Sequence, residues 1–269
     1  MQLNKCNFLY YFNINKIDKD FHMLITKNML YRDTRYFIYN NISYIILISF
    51  FITFLLILLN VLITPDIKKI SCLYEGTAIT LSELFDLIEN MSFEQKIILL
   101  KLSLSKILSS IIGNTILFSS VISLINIVSS GENVTFSLFF SVLKKSFNNL
   151  LILIIVLIVI IKLSFICFFI PGILFSSFLS LSPIISSIEN TSISKSILYS
   201  LHIVYKRFKI IFPSLLLWLF LKFLCLSISL YCNMSCLNIT FLFLFFIQNL
   251  IFSSFIIHLY RFYMLFRIN

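Results

Sequence analysis

Residues 168–190 read FFIPGILFSSFLSLSPIISSIEN, and two prolines and a glycine stand inside an otherwise apolar run. The run extends from Leu150 to Ile188, 39 residues in which Lys162 is the only charged side chain. A single helix of that length measures about 58 Å at about 1.5 Å per residue, roughly twice the hydrocarbon thickness of a bilayer, and no tilt absorbs the excess. Pro171 lacks an N–H and disfavours a helical residue before it, while Gly172 tolerates the positive φ of a tight reversal, so the pair reads as a turn. The chain is expected to double back at Pro171–Gly172. Backbone groups freed at a bend find no water in hydrocarbon, and an interfacial hairpin is the simplest way to satisfy them. Pro183 and Pro213 fall near the opposite face, where polar neighbours make a kink cheaper.

Composition points the same way. The 269 residues are 59% hydrophobic and 12% charged, with a mean hydropathy of +1.02, against about 25% charged in soluble globular domains. There is too little polar surface to cover a water-soluble core, and several stretches exceed the roughly 18 apolar residues that signal a membrane span. Apolar segments at 42–63, 107–128, 150–170, 172–188, 210–232 and 237–260 predict an all-α integral membrane bundle of six transmembrane helices. Residues 1–41 form a basic lead, 42–260 the membrane domain with an outer loop at 64–106, and 261–269 a tail.

Lysine and arginine are retained on the cytoplasmic side, which orients the bundle. With both termini cytoplasmic, the inner segments carry 14 basic residues and the outer segments five, all of these in loop 64–106 beside six acids. The net charge of +10 thus describes membrane orientation. No segment outside the bilayer is large enough for a nucleic-acid-binding module, so no nucleic-acid partner is expected. The N-terminal residues lack the apolar core and cleavage pattern of a signal peptide. The six cysteines have no metal-ligand spacing. Cys232 and Cys236 lie at an outer turn where a disulfide is one alternative and soft apolar packing the other.

In the outer loop, Leu81, Leu84, Phe85 and Ile88 share one helical face, with Glu83, Asp86 and Glu89 turned elsewhere. Thr80 with Glu83 and Ser92 with Gln95 match capping-box spacing, so two helix starts are expected, the second running on into span two. A polar-basic lead precedes each odd-numbered span. The last, with Lys206, Arg207 and Lys209 beside Ile203, Tyr205 and Phe208, suits a helix in the inner headgroup layer, in contact with anionic lipid.

Catalytic patterns are missing: there is no GxSxG, HExxH or Walker loop, and the three histidines are unpaired. No enzymatic activity and no cofactor or metal is expected. Ionisable groups inside the membrane are functional candidates by default, and the spans hold two, Lys162 and Lys222. They fall at equal depth with no acid in any span to pair with. Each must snorkel, lose its proton, or face a wet or anionic site shared with Asn114, Gln248 and Asn249.

Several separated stretches, YRDT (31–34), LFDLIENMS (84–92), IIGN (111–114), PGI (171–173), PSLLLWLFLK (213–222) and the closing YRFYML, resemble the YciC-type inner-membrane proteins of enteric bacteria. The resemblance runs from about residue 31 to 267. It implies a multi-pass protein of the inner membrane with no established activity and no catalytic residue to carry over. Residues 1–28 extend beyond the family's usual start, with Met23 or Met29 as alternative initiators. The expected role is in envelope organisation through membrane lipids, anionic ones included, other inner-membrane proteins or a second copy of the chain. The alternative is a transporter or permease for a small anionic solute or lipid.

Overall fold

A computed structural model of the chain describes residues 27–63, 91–132, 134–231 and 239–268. The described residues form nine helices: α1 (Lys27–Asn40), α2 (Ile42–Ile63), α3 (Phe93–Ser129), α4 (Phe136–Cys167), α5 (Phe169–Leu179), α6 (Ser182–Glu189), α7 (Ile193–Lys206), α8 (Phe208–Tyr231) and α9 (Ile239–Ile268). Among the described residues six segments are long and apolar enough to cross a membrane: Ile42–Leu59, Phe93–Ser129, Phe147–Cys167, Phe169–Glu189, Phe208–Ser229 and Leu242–Arg267. The expected all-α, six-span architecture is the one observed. The amphipathic segment expected around residues 80–89 and the Cys232–Cys236 pair lie outside the described residues.

The hairpin exists, but its tip is not at Pro171–Gly172. Phe168 breaks the helix with extended backbone (φ −159°, ψ 148°), three residues before the proline. Phe165 on α4 meets Gly172 on α5, and Leu153 and Leu157 pack with Leu179, so the two helices run antiparallel from Phe168. Pro171 is the third residue of α5, in the first turn, where a missing N–H breaks no intrahelical bond. Gly172 is a helical residue whose amide donates to the Phe168 carbonyl at 3.2 Å. It serves by its missing side chain: a Cβ there would lie 2.5 Å from the Phe165 ring. The return span breaks again at Ser180–Leu181, and Pro183 enters the first turn of α6.

Helix ends elsewhere follow local chemistry. Ser92 and Gln95 close the expected capping box on α3: the Gln95 amide donates to Ser92 Oγ at 3.3 Å and the Ser92 amide to Gln95 Oε1 at 2.9 Å. The 37-residue α3 is about 55 Å long, so its first turns project beyond a hydrocarbon layer of about 30 Å. It ends at Gly131 in the left-handed region (φ 74°), with the Gly131 amide on the Val128 carbonyl and the Glu132 amide on Ile127. That reciprocal pattern needs a residue free of Cβ strain.

α9 is the hub. Ile256, Ile257, Leu259 and Phe262 are fully buried among Ile52 of α2, Ile122 and Ile125 of α3, and Ile184 and Ile185 of α6. Its helix continues to Ile268, where the sequence suggested a tail after residue 260, because Tyr260 and Tyr263 also face inward. Ser49 meets Ser253 at 3.2 Å, and Asn249 Nδ2 donates to Thr53 Oγ1 at 2.9 Å, so α2 and α9 are antiparallel. At the α1 end, Thr34 Oγ1 lies 3.3 Å from His258 Nδ1, Arg261 stacks over Phe37 at 4.4 Å, and the Tyr263 hydroxyl donates to Glu189. These contacts hold α1 and α6 to the last turns of α9. Phe50, Phe54, Leu217, Phe220 and Phe223 face outward, while Ser119, Ser123, Ser182 and Ser253 are fully buried between helices. That inversion suits lipid as the solvent, since small residues let helices approach closely, and Ser253 meets Ser49 across the α2–α9 interface.

Candidate cationic cleft

The site is built outward from Lys222, two-thirds of the way along α8. Trp218 lies one turn earlier on the same helix, and the Lys222 ammonium sits over its ring, 5.2 Å from the centroid. Trp218 is itself held by stacking on Phe252 and Phe255 of α9, each at 5.2 Å, and Phe118 of α3 meets Phe252 edge-on at 5.4 Å. This aromatic wall directs the ammonium into a cleft of about 300 Å³.

Four helices line that cleft. α3 contributes Lys106, Ser109, Ser110 and Asn114, and α9 contributes Gln248 and Asn249. Leu56 of α2 closes it against Gly113, where a Cβ would lie 2.5 Å from Leu56 Cδ2, so glycine permits the close approach of α2 and α3. Asn249 is oriented by Thr53, whose own hydroxyl donates to the Ser49 carbonyl at 2.7 Å. Asn114 Nδ2 reaches Ser110 Oγ at 3.5 Å.

None of the lining residues is acidic, and neither Lys106 nor Lys222 forms an ion pair with a described residue. Two like charges facing one cleft repel. An anion between two such lysines relieves that repulsion.

The cleft brings together Lys222, Asn114, Gln248 and Asn249, the group that sequence reasoning associated. Lys162 does not line it. It is exposed on α4, six residues before the hairpin tip, so the shared Lys162–Lys222 site does not form. Equal depth sets a residue's height, not its direction around the helix axis, and α4 buries Leu153 and Leu157 instead. Lys206, Arg207 and Lys209 flank the break between α7 and α8, where Arg207 leaves helical geometry (φ −121°, ψ 29°). Arg207 is 15 residues from Lys222, about 22 Å along the helix. An open hollow of about 420 Å³ nearby is lined by Phe178, Leu198, Leu201, His202 and Tyr205, and by none of those three cations.

Lys106 is the residue sequence reasoning missed, because it counted the position as the last of the outer loop. The signal was present: Lys106, Ser109/Ser110 and Gly113/Asn114 recur at i, i+3/i+4 and i+7/i+8, a polar stripe on one face of α3.

Six apolar membrane-length segments among the described residues, with small polar groups turned inward, define a multi-pass α-helical membrane protein. The chain belongs to the uncharacterised protein family UPF0259, whose family model matches residues 23–265. The YciC-type resemblance carried by the separated motifs fits that family. The chain is 38% identical over 251 residues to a UPF0259 membrane protein of Buchnera aphidicola subsp. Acyrthosiphon pisum (strain 5A), covering 91% of this chain and 99% of the relative. It is 33% identical over 264 residues to one of Wigglesworthia glossinidia brevipalpis, covering 92% and 98%. To one of Serratia proteamaculans (strain 568) it is 29% identical over 249 residues, covering 91% and 100%. No solved structure matches.

Proposed function

We propose that the protein is a non-enzymatic component of the bacterial inner membrane that contributes to envelope organisation by holding anionic lipid in the α3–α8–α9 cleft. The observation that carries this reading is the pair of lysines facing one space with no acid among its described lining residues, in a membrane-spanning bundle. An ionisable group at bilayer depth is costly, and a lipid headgroup compensates it where no protein acid does. Lys144, Lys195, Lys206, Arg207 and Lys209 flank the α1 end, which supports a cytoplasmic placement for that end and an outer-leaflet level for the cleft.

The test is native mass spectrometry of the protein solubilised from its own membrane. A retained phosphate-bearing lipid that disappears in Lys222→Leu is the expected result. Deletion of the protein is expected to alter membrane permeability or lipid composition without solute specificity. Absence of any retained lipid, together with flux of a small anion that depends on Lys222, replaces this reading with that of a permease.

A further inference from the structure

The cleft presents two cations, and their number selects among anionic lipids. We infer that it prefers a phosphomonoester headgroup, such as that of phosphatidate, over the phosphodiester of phosphatidylglycerol. This rests on the proposed lipid-holding function and specifies its ligand class.

Lys106 comes from α3 and Lys222 from α8, so they face the space from different walls. A phosphodiester carries one negative charge and leaves one ammonium uncompensated. A phosphomonoester carries close to two negative charges at neutral pH, with a second pKa of about 6, and neutralises both. It also offers three acceptor oxygens, enough to engage both ammonium groups and still accept from an amide nitrogen or hydroxyl. Such donors line the same cleft in Gln248, Asn114 and Ser109.

Geometry accommodates a lipid headgroup rather than a whole lipid. A space of about 300 Å³ is at the lower end for a small-molecule site, which spans roughly 300–1,000 Å³. Phe245 and Phe252 of α9 form its apolar side, where the start of the acyl chains can rest. Among the described residues the titratable groups facing the headgroup are Lys106 and Lys222; α2 and α9 contribute none.

The protein reconstituted in detergent micelles is titrated with short-chain phosphatidate, phosphatidylglycerol, phosphatidylcholine and soluble glycerol 3-phosphate, and binding is followed by native mass spectrometry. Phosphatidate is expected to bind about tenfold more tightly than phosphatidylglycerol, the equivalent of about 1.4 kcal/mol. Lys106→Gln and Lys222→Gln are each expected to bring the ratio close to one, while Lys162→Gln leaves it unchanged. The ratio in the unmodified protein is measured without any variant, so a misfolded variant does not remove the test. Equal binding of phosphatidate and phosphatidylglycerol, both lost in Lys222→Gln, overturns the phosphomonoester preference and leaves the lipid-holding function standing. Glycerol 3-phosphate binding as tightly as phosphatidate supports the charge selection but overturns the lipid reading. Failure of all three anions to bind better than phosphatidylcholine overturns both.

Discussion

Replacing Gly172 by alanine places a methyl carbon 2.5 Å from both Cδ1 and Cγ of Phe165 and 2.8 Å from Cε1. No rotation of the new methyl avoids the contact, and the ring has to yield as a body because Cγ is close to its anchor point. Forcing extra volume into such a contact costs about 1–3 kcal/mol. Phe165 is half-buried and can tilt toward lipid, which puts the cost in the lower half of that range. Alanine regains up to about 1 kcal/mol of helix propensity, less in the first turns. The net expectation is a loss of about 1 kcal/mol, read from reversible denaturant unfolding in mixed micelles. In a Phe165→Ala background the clash is gone, and the same glycine substitution should become neutral or stabilising, a coupling of about 1–2 kcal/mol between the two sites. Should Gly172→Ala leave stability unchanged or raise it in the otherwise unmodified protein, or should its cost survive removal of the Phe165 ring, the account of the hairpin as a Phe165–Gly172 contact is wrong.

Pro171→Ala in the same assay is expected to change stability by less than about 0.5 kcal/mol, because the proline occupies a first-turn position where no N–H bond is at stake; a large loss would return the reversal to the Pro–Gly pair. Thr53→Val removes the acceptor of the Asn249 amide and should cost about 0.6–1.7 kcal/mol, with Thr53→Ser retaining most of the stability. The phosphatidate preference should shrink as pH falls from about 8 to about 5, because the phosphomonoester regains its second proton near pH 6 and the phosphodiester is unaffected; a ratio constant across that range would show that charge number is not what the cleft measures.

The expectation of a hairpin was secure because it rested on length alone: 39 apolar residues cannot form one crossing. The exact tip was not legible. Proline presets the same φ at the second position of a turn and in the first turn of a helix, so Pro171 is compatible with either, and the choice falls to tertiary packing of Phe165 on Gly172. The capping box at Ser92 was readable because both partners are local, three residues apart. The extension of α9 to Ile268 was obscured by Arg261 and Arg267, which read as the start of a tail. Arg261 in fact lies over Phe37 and 3.7 Å from Asp33, so its charge is absorbed by α1.

The cleft was half legible, and the halves differ in energetic cost. A lysine, two asparagines or a glutamine inside a span each demand a reason, since an unsatisfied polar group in hydrocarbon costs several kcal/mol, about 2–7 by transfer measurements. That cost singled out Lys222, Asn114, Gln248 and Asn249 before any helix was placed. Lys106 stands near the boundary of the apolar segment, where water supplies an excuse, and no cost pointed to it. Once α3 is seen to run unbroken from Phe93 to Ser129, Lys106 joins the stripe that faces Lys222. Snorkelling alone would leave Lys222 with aliphatic and aromatic neighbours and its ammonium stretched toward the surface. It would not account for amides from two further helices and a second lysine lining the same space. Of these polar side chains Asn249 also bonds across to Thr53 of α2, as Ser49 and Ser253 bond to each other, while Asn114 reaches only Ser110 of its own helix. Their gathering around two lysines, with no acid among the described lining residues, is the arrangement a bound anion stabilises.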